Sequence, residues 1–414
     1  MRIIKIDDEA AFSGLREEWN GLLARSASNT IFLTWEWMYA WWQTLRTDEQ
    51  LWILAARDEG GALVGLAPLC RKPQRAGRVV PVRALRFIGD GTEDSDYLDF
   101  ITARGLERPV LGAMLEYLQA DPVWDILSLA EVPETSPNRP ILCEGLTSAG
   151  VAVRQDPVVC ASALLPHDWR SYLAMRPPRL RTRIRALLNG LAEGPGFSRC
   201  PAEELDARLH SLFDLHARRW GLRGKEGAFA RPARRAFYQC MGRYFLEKDW
   251  LRFYSLARGG QFVAHQFCFE YDGRLFLLQE GFDPDWREQS VGIELRARVF
   301  QDVFQNPITR GVREYDFLGG ITRHKADWGA APKHSFNLQA VRPRPAARLY
   351  SALPVLRAWA KKALRRAIPD AVLQARRRWR PTQVTARSDR PEKAVPASPA
   401  PGPESVTRAR AKRS

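Results

Sequence analysis

The sequence predicts a mixed α/β protein built from two related α/β units, and three observations point there. Helical and strand periodicities alternate along most of the chain. Two segments, LWILAARDEGGALVGLAPLC at 51–70 and LRFYSLARGGQFVAHQFCFE at 251–270, share one pattern. Each runs apolar strand, Ala-Arg, Gly-containing turn and second apolar strand, which is a β-hairpin by pattern. Helical sequence precedes both: Phe12, Leu15, Trp19 and Leu22 before the first hairpin, then Leu205, Leu209, Leu212, Leu215 and Phe237, Met241, Phe245 before the second. A duplicated unit accounts for all three observations.

The elements follow in order. Phe32, Trp35, Trp37, Tyr39, Trp41 and Trp42 form an aromatic run in which Trp35, Tyr39 and Trp42 share a helical face. It either packs between the two units or offers flat rings to a sugar. After the first hairpin, 82–89 and 97–102 read as strands around an acidic loop with Asp90, Glu93, Asp94 and Asp96. A helix is expected over 106–119, a buried strand over 124–129, a loop and short helix over 135–149, and strands near 151–164. Residues 169–191 read as helical except at Pro177-Pro178; their second part, RLRTRIRALL, is strongly basic. That face is either solvated or a contact for a donor phosphate or an acidic glycan.

Residues 281–329 are the most informative stretch. Gly281 to Pro284 has turn chemistry. Val291, Leu295, Val299 and Val303 recur at helical spacing, 312–317 is strand-like, and Gly319-Gly320 frees the backbone. Gln289, Ser290 and Gly292 open the helix, where free N–H groups and the dipole favour a phosphate.

These residues resemble the GNAT acyltransferase superfamily, most closely its CelD-type branch, associated with cellulose biosynthesis and related to the Fem-type peptidyltransferases. The resemblance rests on Gly281-Phe282-Asp283-Pro284, Ser290/Gly292, 311–317 with Tyr315-Asp316-Phe317, and Lys325-Ala326-Asp327-Trp328-Gly329. Matching pieces lie at His216-Ala217-Arg218-Arg219-Trp220, at 31–37 with Trp41-Trp42, and at 85–100 with Asp96-Tyr97-Leu98-Asp99-Phe100. It implies a tandem GNAT-like fold: an amino-terminal half at 1–165 and a carboxyl-terminal half at 166–340 carrying the active site, with the acceptor in a cleft between them. It also implies acetyl-CoA or a longer acyl-CoA as donor, held by Arg287, Gln289, Ser290, Val291 and Gly292. The acceptor would be an amine or hydroxyl of a small molecule or polysaccharide precursor, bound with Trp220, Tyr315 and Trp328. Against the family's Gln/Arg-x-x-Gly-x-Gly/Ala pattern, Glu294 stands where a small residue is expected. A carboxylate there suits the helix dipole but repels a pyrophosphate if it faces one. The same-fold alternative is an aminoacyl-tRNA-dependent transferase, and the non-enzymatic one a degenerate scaffold in surface-polysaccharide synthesis.

Direct acyl transfer needs both substrates oriented, a proton removed from the nucleophile and the developing oxyanion stabilised. The sequence fits a reaction with no covalent nucleophile, having no Gly-x-Ser-x-Gly elbow, Cys–His motif or metal-ligand spacing. His216 is either a base or a helix-end histidine packed under Trp220. Asp283 is either an amine-proton acceptor or a turn aspartate. Asp316, on a strand between Tyr315 and Phe317, needs a partner if buried, and Lys325 or Arg323 would serve. It is either a base or half of an orienting ion pair. Lys325 and His324 could touch donor phosphate or an acceptor carboxylate. His265 reads as a core histidine.

Composition bounds the rest. The 414 residues suffice for sizeable cores. Six scattered cysteines, with no Cys-x-x-Cys pair, read as reduced structural thiols of a cytoplasmic protein. The first residues lack a signal-peptide core, and nothing is apolar enough over about 18 residues to span a membrane. Of the formal net charge of +16, residues 341–414 carry +15. Net charge therefore gives the body no support for nucleic-acid binding. Within that tail, 341–380 reads as a basic amphipathic helical segment, with Leu349, Leu353, Leu356, Ala360 and Leu364 on one face. It would dock on the body, lie on an anionic membrane surface, or meet a partner such as tRNA. Residues 381–414 read as disordered.

Overall fold

The computed structural model of the chain describes residues 1–353 and Leu356, apart from 77–79, 92–93, 190–195, 223, 307–308 and 310. Along the amino-terminal half run β1 (Arg2–Ile6), α1 (Glu9–Gly14), α2 (Arg16–Ala24), α3 (Trp35–Leu45), β2 (Gln50–Leu51), β3 (Ile53–Arg57), β4 (Leu63–Ala67), β5 (Leu69–Ala76), β6 (Val80–Phe87), β7 (Ile101–Thr102), α4 (Glu107–Ala120), β8 (Ile126–Pro133), α5 (Asn138–Ser148) and β9 (Ala152–Leu164). The second half holds α6 (Trp169–Ala174), α7 (Pro178–Asn189), β10 (Phe197–Arg199), α8 (Leu205–Gly221), α9 (Pro232–Glu247), β11 (Leu251–Arg258), β12 (Gln261–Tyr271), β13 (Arg274–Phe282), α10 (Val291–Gln305), β14 (Glu314–Gly319), α11 (Arg323–Asp327) and β15 (Ala331–Val341). Helix starts follow side-chain capping where the sequence offers it. Asp8, Thr34, Asp168 and Thr322 each accept an N–H three residues on.

Both expected hairpins form, β3 against β4 and β11 against β12, each antiparallel. The strands make two sheets: β1-β3-β4-β7, and an eleven-stranded sheet β10-β11-β12-β13-β14-β9-β15-β8-β6-β5-β2. The large sheet is symmetric about its middle. β9 and β15 pair antiparallel from Ala331↔Ser162 to Val341↔Ala152. β9 then pairs with β14 of the second half, and β15 with β8 of the first. Each half's sheet is thus continued by a strand from the other. Flanking them are two parallel pairs, β13 with β14 and β6 with β8.

β15 was not expected from the sequence. Its signal is the alternation of Phe336, Leu338 and Ala340 with Asn337 and Gln339. The strand expected over 97–102 is only Ile101–Thr102. Tyr97 has φ 55°, and the Asp99 carboxylate accepts from the Ser28 and Ser136 hydroxyls and the Phe100 N–H. The Phe100 bond is local and of the kind that competes with a strand ladder, while the serines tie the carboxylate to distant segments.

The aromatic run on α3 is core. Trp37 lies 5.2 Å edge-on from Phe237 of α9 and 5.9 Å from Phe269 of β12, so the two halves share one apolar interior. Burying each such side chain stabilises by about 1.5–3 kcal/mol. A second core gathers Tyr172, Phe300, Tyr315 and Trp328 under α10.

Among the described residues, no helix is long and apolar enough to cross a membrane. The basic segment expected in the tail is seen only in its first turns, helical over 345–353. The rest of 341–380 apart from Leu356, the tail 381–414, and Glu93 of the acidic loop lie outside the described residues.

Candidate active site

β13 and β14 pair only through Arg274–Phe276 and Glu314–Asp316, although both strands run further. A bulge in the β12–β13 pairing leaves Leu278 without a register partner, and bulges re-aim strands beside sites. On the other side, Leu318 takes φ 57° and Gly320 φ 74°. The Lys325 ammonium then donates to the carbonyls of Phe317 (2.9 Å), Leu318 (3.3 Å), Gly319 (2.6 Å) and Gly320 (2.8 Å). The strands part around a cavity of about 500 Å³ lined by 277–280, 317–319, Arg296, His324 and Lys325.

The first half closes this cavity with Ser95, Asp96 and Glu131. Asp96, Glu131 and Cys160 each place a donor atom within 4.8 Å of the others. The Cys160 thiol donates to Asp96 Oδ1 at 3.3 Å. Burial, reinforced by the Glu131 charge, raises the Asp96 pKa to about 8. Burial, with help from Asp90, raises that of Glu131 to about 7. Glu131 Oε2 is buried and finds no hydrogen-bond partner among the described residues. Two neighbouring carboxyl groups titrating near neutrality beside a cavity are a suitable proton acceptor. The trio also carries oxygen and sulfur donors of the kind that hold a cation. Asp96 lay within the acidic loop and the Asp96-Tyr97-Leu98-Asp99-Phe100 motif, but nothing local in the sequence brings it to Glu131 and Cys160.

The residues singled out from sequence separate into groups. Asp316 is fully buried; it accepts from the Tyr97 hydroxyl at 2.9 Å, the Leu318 N–H at 2.8 Å and Lys333 Nζ at 3.5 Å. Its partners are therefore Tyr97 and Lys333, not Lys325 or Arg323. Its pKa is raised, by burial. Lys325 holds the turn after β14, and burial lowers its pKa. Tyr315 and Trp328 are fully buried against Phe300 at 4.4 and 5.3 Å, so their rings offer no surface to a substrate. Asp283 caps the turn before α10 through the Asp285 N–H and pairs with Arg218 at 2.8 Å.

His216 is 5% exposed at the end of α8. The Trp220 indole N–H donates to its Nε2 at 2.9 Å. Burial first, then Arg219 and Arg234, lower its pKa to about 4. An indole only donates, so Nε2 keeps its lone pair for Trp220 and the single ring proton sits on Nδ1. The ring is a hydrogen-bond donor rather than a base. His265, also fully buried, sits between the Ser255 and Ser211 hydroxyls.

The start of α10 gathers the donor-binding candidates. Ser290 is the N-cap, in the left-handed region at φ 59°. Arg183 of α7 donates to its hydroxyl, so the basic helix touches this end. Arg287 and Gln289 are exposed, while Val291 is buried. A Cβ on Gly292 would meet the Phe282 ring at 3.4 Å, an ordinary van der Waals contact, so only a larger side chain is crowded there. Glu294 does not face a ligand bare: Arg258 binds it at 2.6 Å and Arg298 at 2.9 Å. Its charge is neutralised in place, and the N-terminus of α10 remains suited to an anion.

A second cavity of about 820 Å³, lined by Trp41, Arg86, His216, Trp220, Arg231 and Arg234 among others, meets the first at Gln279.

Residues 178–326 match the family model described as an acetyltransferase (GNAT) domain. No curated protein matches the chain in sequence. Among solved structures, that of FemX is similar over 84% of this chain and 99% of its own, with 10% identity and a TM-score of 0.59. A conserved protein of unknown function from Bacteroides thetaiotaomicron VPI-5482 covers 82% of this chain and 100% of its own, with 14% identity and a TM-score of 0.53. The matched segment contains α7 through β14, the parting strands and the start of α10; over those residues the second half is similar to a GNAT acetyltransferase domain, and most of the chain shares the fold of FemX.

Proposed function

We propose that the protein is an acyltransferase that moves an acetyl or longer acyl group from acyl-CoA to an amine or hydroxyl. The observation that carries this reading is the cavity between β13 and β14, with Arg296 of α10 and the Asp96–Glu131 pair in its wall. The start of α10, with Arg183, Arg287, Gln289 and the backbone at Ser290, Val291 and Gly292, receives the donor phosphates. The parted strands leave 277–280 and 317–319 lining the cavity rather than paired with each other, and N–H groups there that are not committed elsewhere are a means of stabilising an oxyanion. The acceptor attacks the thioester carbonyl and its proton passes to the Asp96–Glu131 pair. The C–S bond breaks, and the acid just formed is the proton source for the departing thiolate.

The acceptor reaches the cavity from the larger one at Gln279, between the halves. Amino sugars or polysaccharide precursors are the acceptor class we favour. The work belongs in the cytoplasm, with the basic 341–414 tail as a contact for an anionic membrane surface or tRNA. Calorimetric titration of the full chain with acetyl-CoA and with free CoA tests the donor site. Micromolar binding, weakened when Gly292 is replaced by a bulky residue, is expected. A folded protein that binds neither would overturn the acyl-CoA reading and favour an aminoacyl-tRNA donor or a scaffold.

A further inference from the structure

We infer that the larger cavity holds an oxyanion of the acceptor, a phosphate or carboxylate, at the N-terminus of α9 between His216 Nδ1–H and Arg231. This deepens the proposed function by naming what the acceptor must carry, and rests on that cavity being the acceptor's.

Two independent observations converge. The first is the helix end. α9 is sixteen residues long, with Arg231 as N-cap, Pro232 at its start, no side-chain cap and no acidic residue in its first turn. Ala230, Arg231, Ala233 and Arg234 from this end line the cavity. Pro232 has no N–H and that of Arg234 donates to the Arg231 carbonyl at 3.1 Å, which leaves the Ala233 N–H and the helix dipole to favour negative charge there. The second is His216, which lines the same cavity while 95% of its surface is buried. Its Nδ1, the atom left carrying the ring proton, has no hydrogen-bond partner among the described residues. A buried donor without an acceptor is costly, and a ligand oxygen would satisfy it. Arg234 Nε is likewise buried without a partner.

Three carboxyl groups, those of Glu49, Asp90 and Glu226, line the cavity, and Asp94 is paired with the lining residue Arg234. Glu49 binds Lys72 at 2.8 Å and also Arg86. Asp94 binds Arg234 at 2.6 Å and the Tyr238 hydroxyl at 2.8 Å. Burial favours the neutral form of Asp90. Glu226 is exposed. Arg231 is exposed too, and can swing to an incoming anion.

The test uses the full chain labelled with ¹⁵N-histidine, without acyl donor. The His216 resonance, assigned with His216→Asn, is followed during titration with inorganic phosphate, with acetate and with uncharged acetamide. Because α10 also attracts phosphate, His216 itself is the reporter. Should His216→Asn not fold, Gly227→Ala assigns the same resonance, since a methyl there meets Nδ1 at 2.7 Å. A saturable shift by phosphate or acetate but not acetamide is expected, with Arg231→Ala weakening it about tenfold. Tighter phosphate binding would mark a phosphorylated acceptor, and tighter acetate binding a carboxylate; both support the site. A resonance indifferent to both anions, equally sensitive to acetamide, or unaffected by Arg231→Ala would overturn it. Failure to bind acetyl-CoA leaves this result standing, whereas a donor-binding protein with a silent His216 loses this inference alone.

Discussion

β13 and β14 part around a cavity, whereas β6 and β8, their counterparts across the β9–β15 seam, part beneath a plug of chain. β6 and β8 pair only over Ala84–Arg86 and Ile126–Ser128. Beyond that, the described residues 88–91 and 94–100 supply the filling, with Ile88, Leu98 and Phe100 fully buried and Phe100 5.9 Å from Phe87. The same plug carries Asp96 to the other half's cavity, where Glu131, at the far end of β8, joins it. The comparison teaches that duplication of a strand arrangement does not duplicate a site. One half keeps the opening, and the other has filled its own and turned the filling into a wall of its neighbour's.

The strongest way to break this comparison is to remove the wall's chemistry. Asp96→Asn should lower kcat by about 10²–10⁴, the usual worth of a positioned proton acceptor. Wild-type kcat/KM should rise with pH toward the region where the pair ionises, near 7 and 8, and the variant should lose that rise. Stability should move the other way. The folded-state pKa of Asp96 stands above its ordinary 3.8. Between those values the folded protein holds a proton the unfolded chain lacks, so its stability falls as pH rises. The asparagine variant escapes that cost. Its melting temperature at pH 8 should exceed wild type, with the gap closing toward pH 4. A variant that is active, or less stable at pH 8, would separate Asp96 from the reaction.

The halves also differ in what they can withstand, because their interior is shared. Trp37→Ala should destabilise by about 3–5 kcal/mol. Its ring meets Phe237 and Phe269 of the second half, so calorimetry should show both halves melting in a single earlier transition. Two resolved transitions would mean that the halves are energetically separate.

How far this was legible in sequence depends on the range of the contacts. The hairpins and α10 announce themselves through local periodicity, and the need of Asp316 for a partner, if buried, follows from its place on a strand. Its partner does not, because Tyr97 is brought by the plug and Lys333 by β15. β15 was missed since its weak alternation follows a polar loop, though it holds the sheet's centre. The family resemblance implied substrate contact for Tyr315 and Trp328, and only their packing against Phe300 of α10 reveals them as core. The Asp96–Glu131–Cys160 group joins three distant segments, and the titration of its two carboxyl groups near neutrality is a product of burial, which no local pattern encodes.

At the donor end the comparison sharpens around charge. Glu294 is tolerated at α10 because Arg258 and Arg298 neutralise it. Arg258→Ala should weaken acetyl-CoA binding about tenfold by leaving a buried carboxylate undercompensated, and adding Glu294→Gln should restore much of it. Non-additivity of this kind, read by calorimetry, identifies the pair as one unit. Additive losses would place Arg258 directly on the donor.

The smallest expected effect belongs to the corresponding helix of the first half. α4 also joins a parallel strand pair, but its first turn carries Glu107, and its N-cap Leu106 makes no side-chain cap. An acidic residue at that end satisfies the dipole from within and repels an anion. The plug, moreover, occupies the space a ligand would need. Glu107→Gln should therefore leave acetyl-CoA affinity and turnover within about twofold of wild type, with a stability loss below about 1 kcal/mol from the weaker dipole interaction. A second equivalent of acetyl-CoA bound by this variant would show that charge alone, and not the plug, silences the first half. One equivalent bound by wild type and variant alike would assign the silence to the filled cleft.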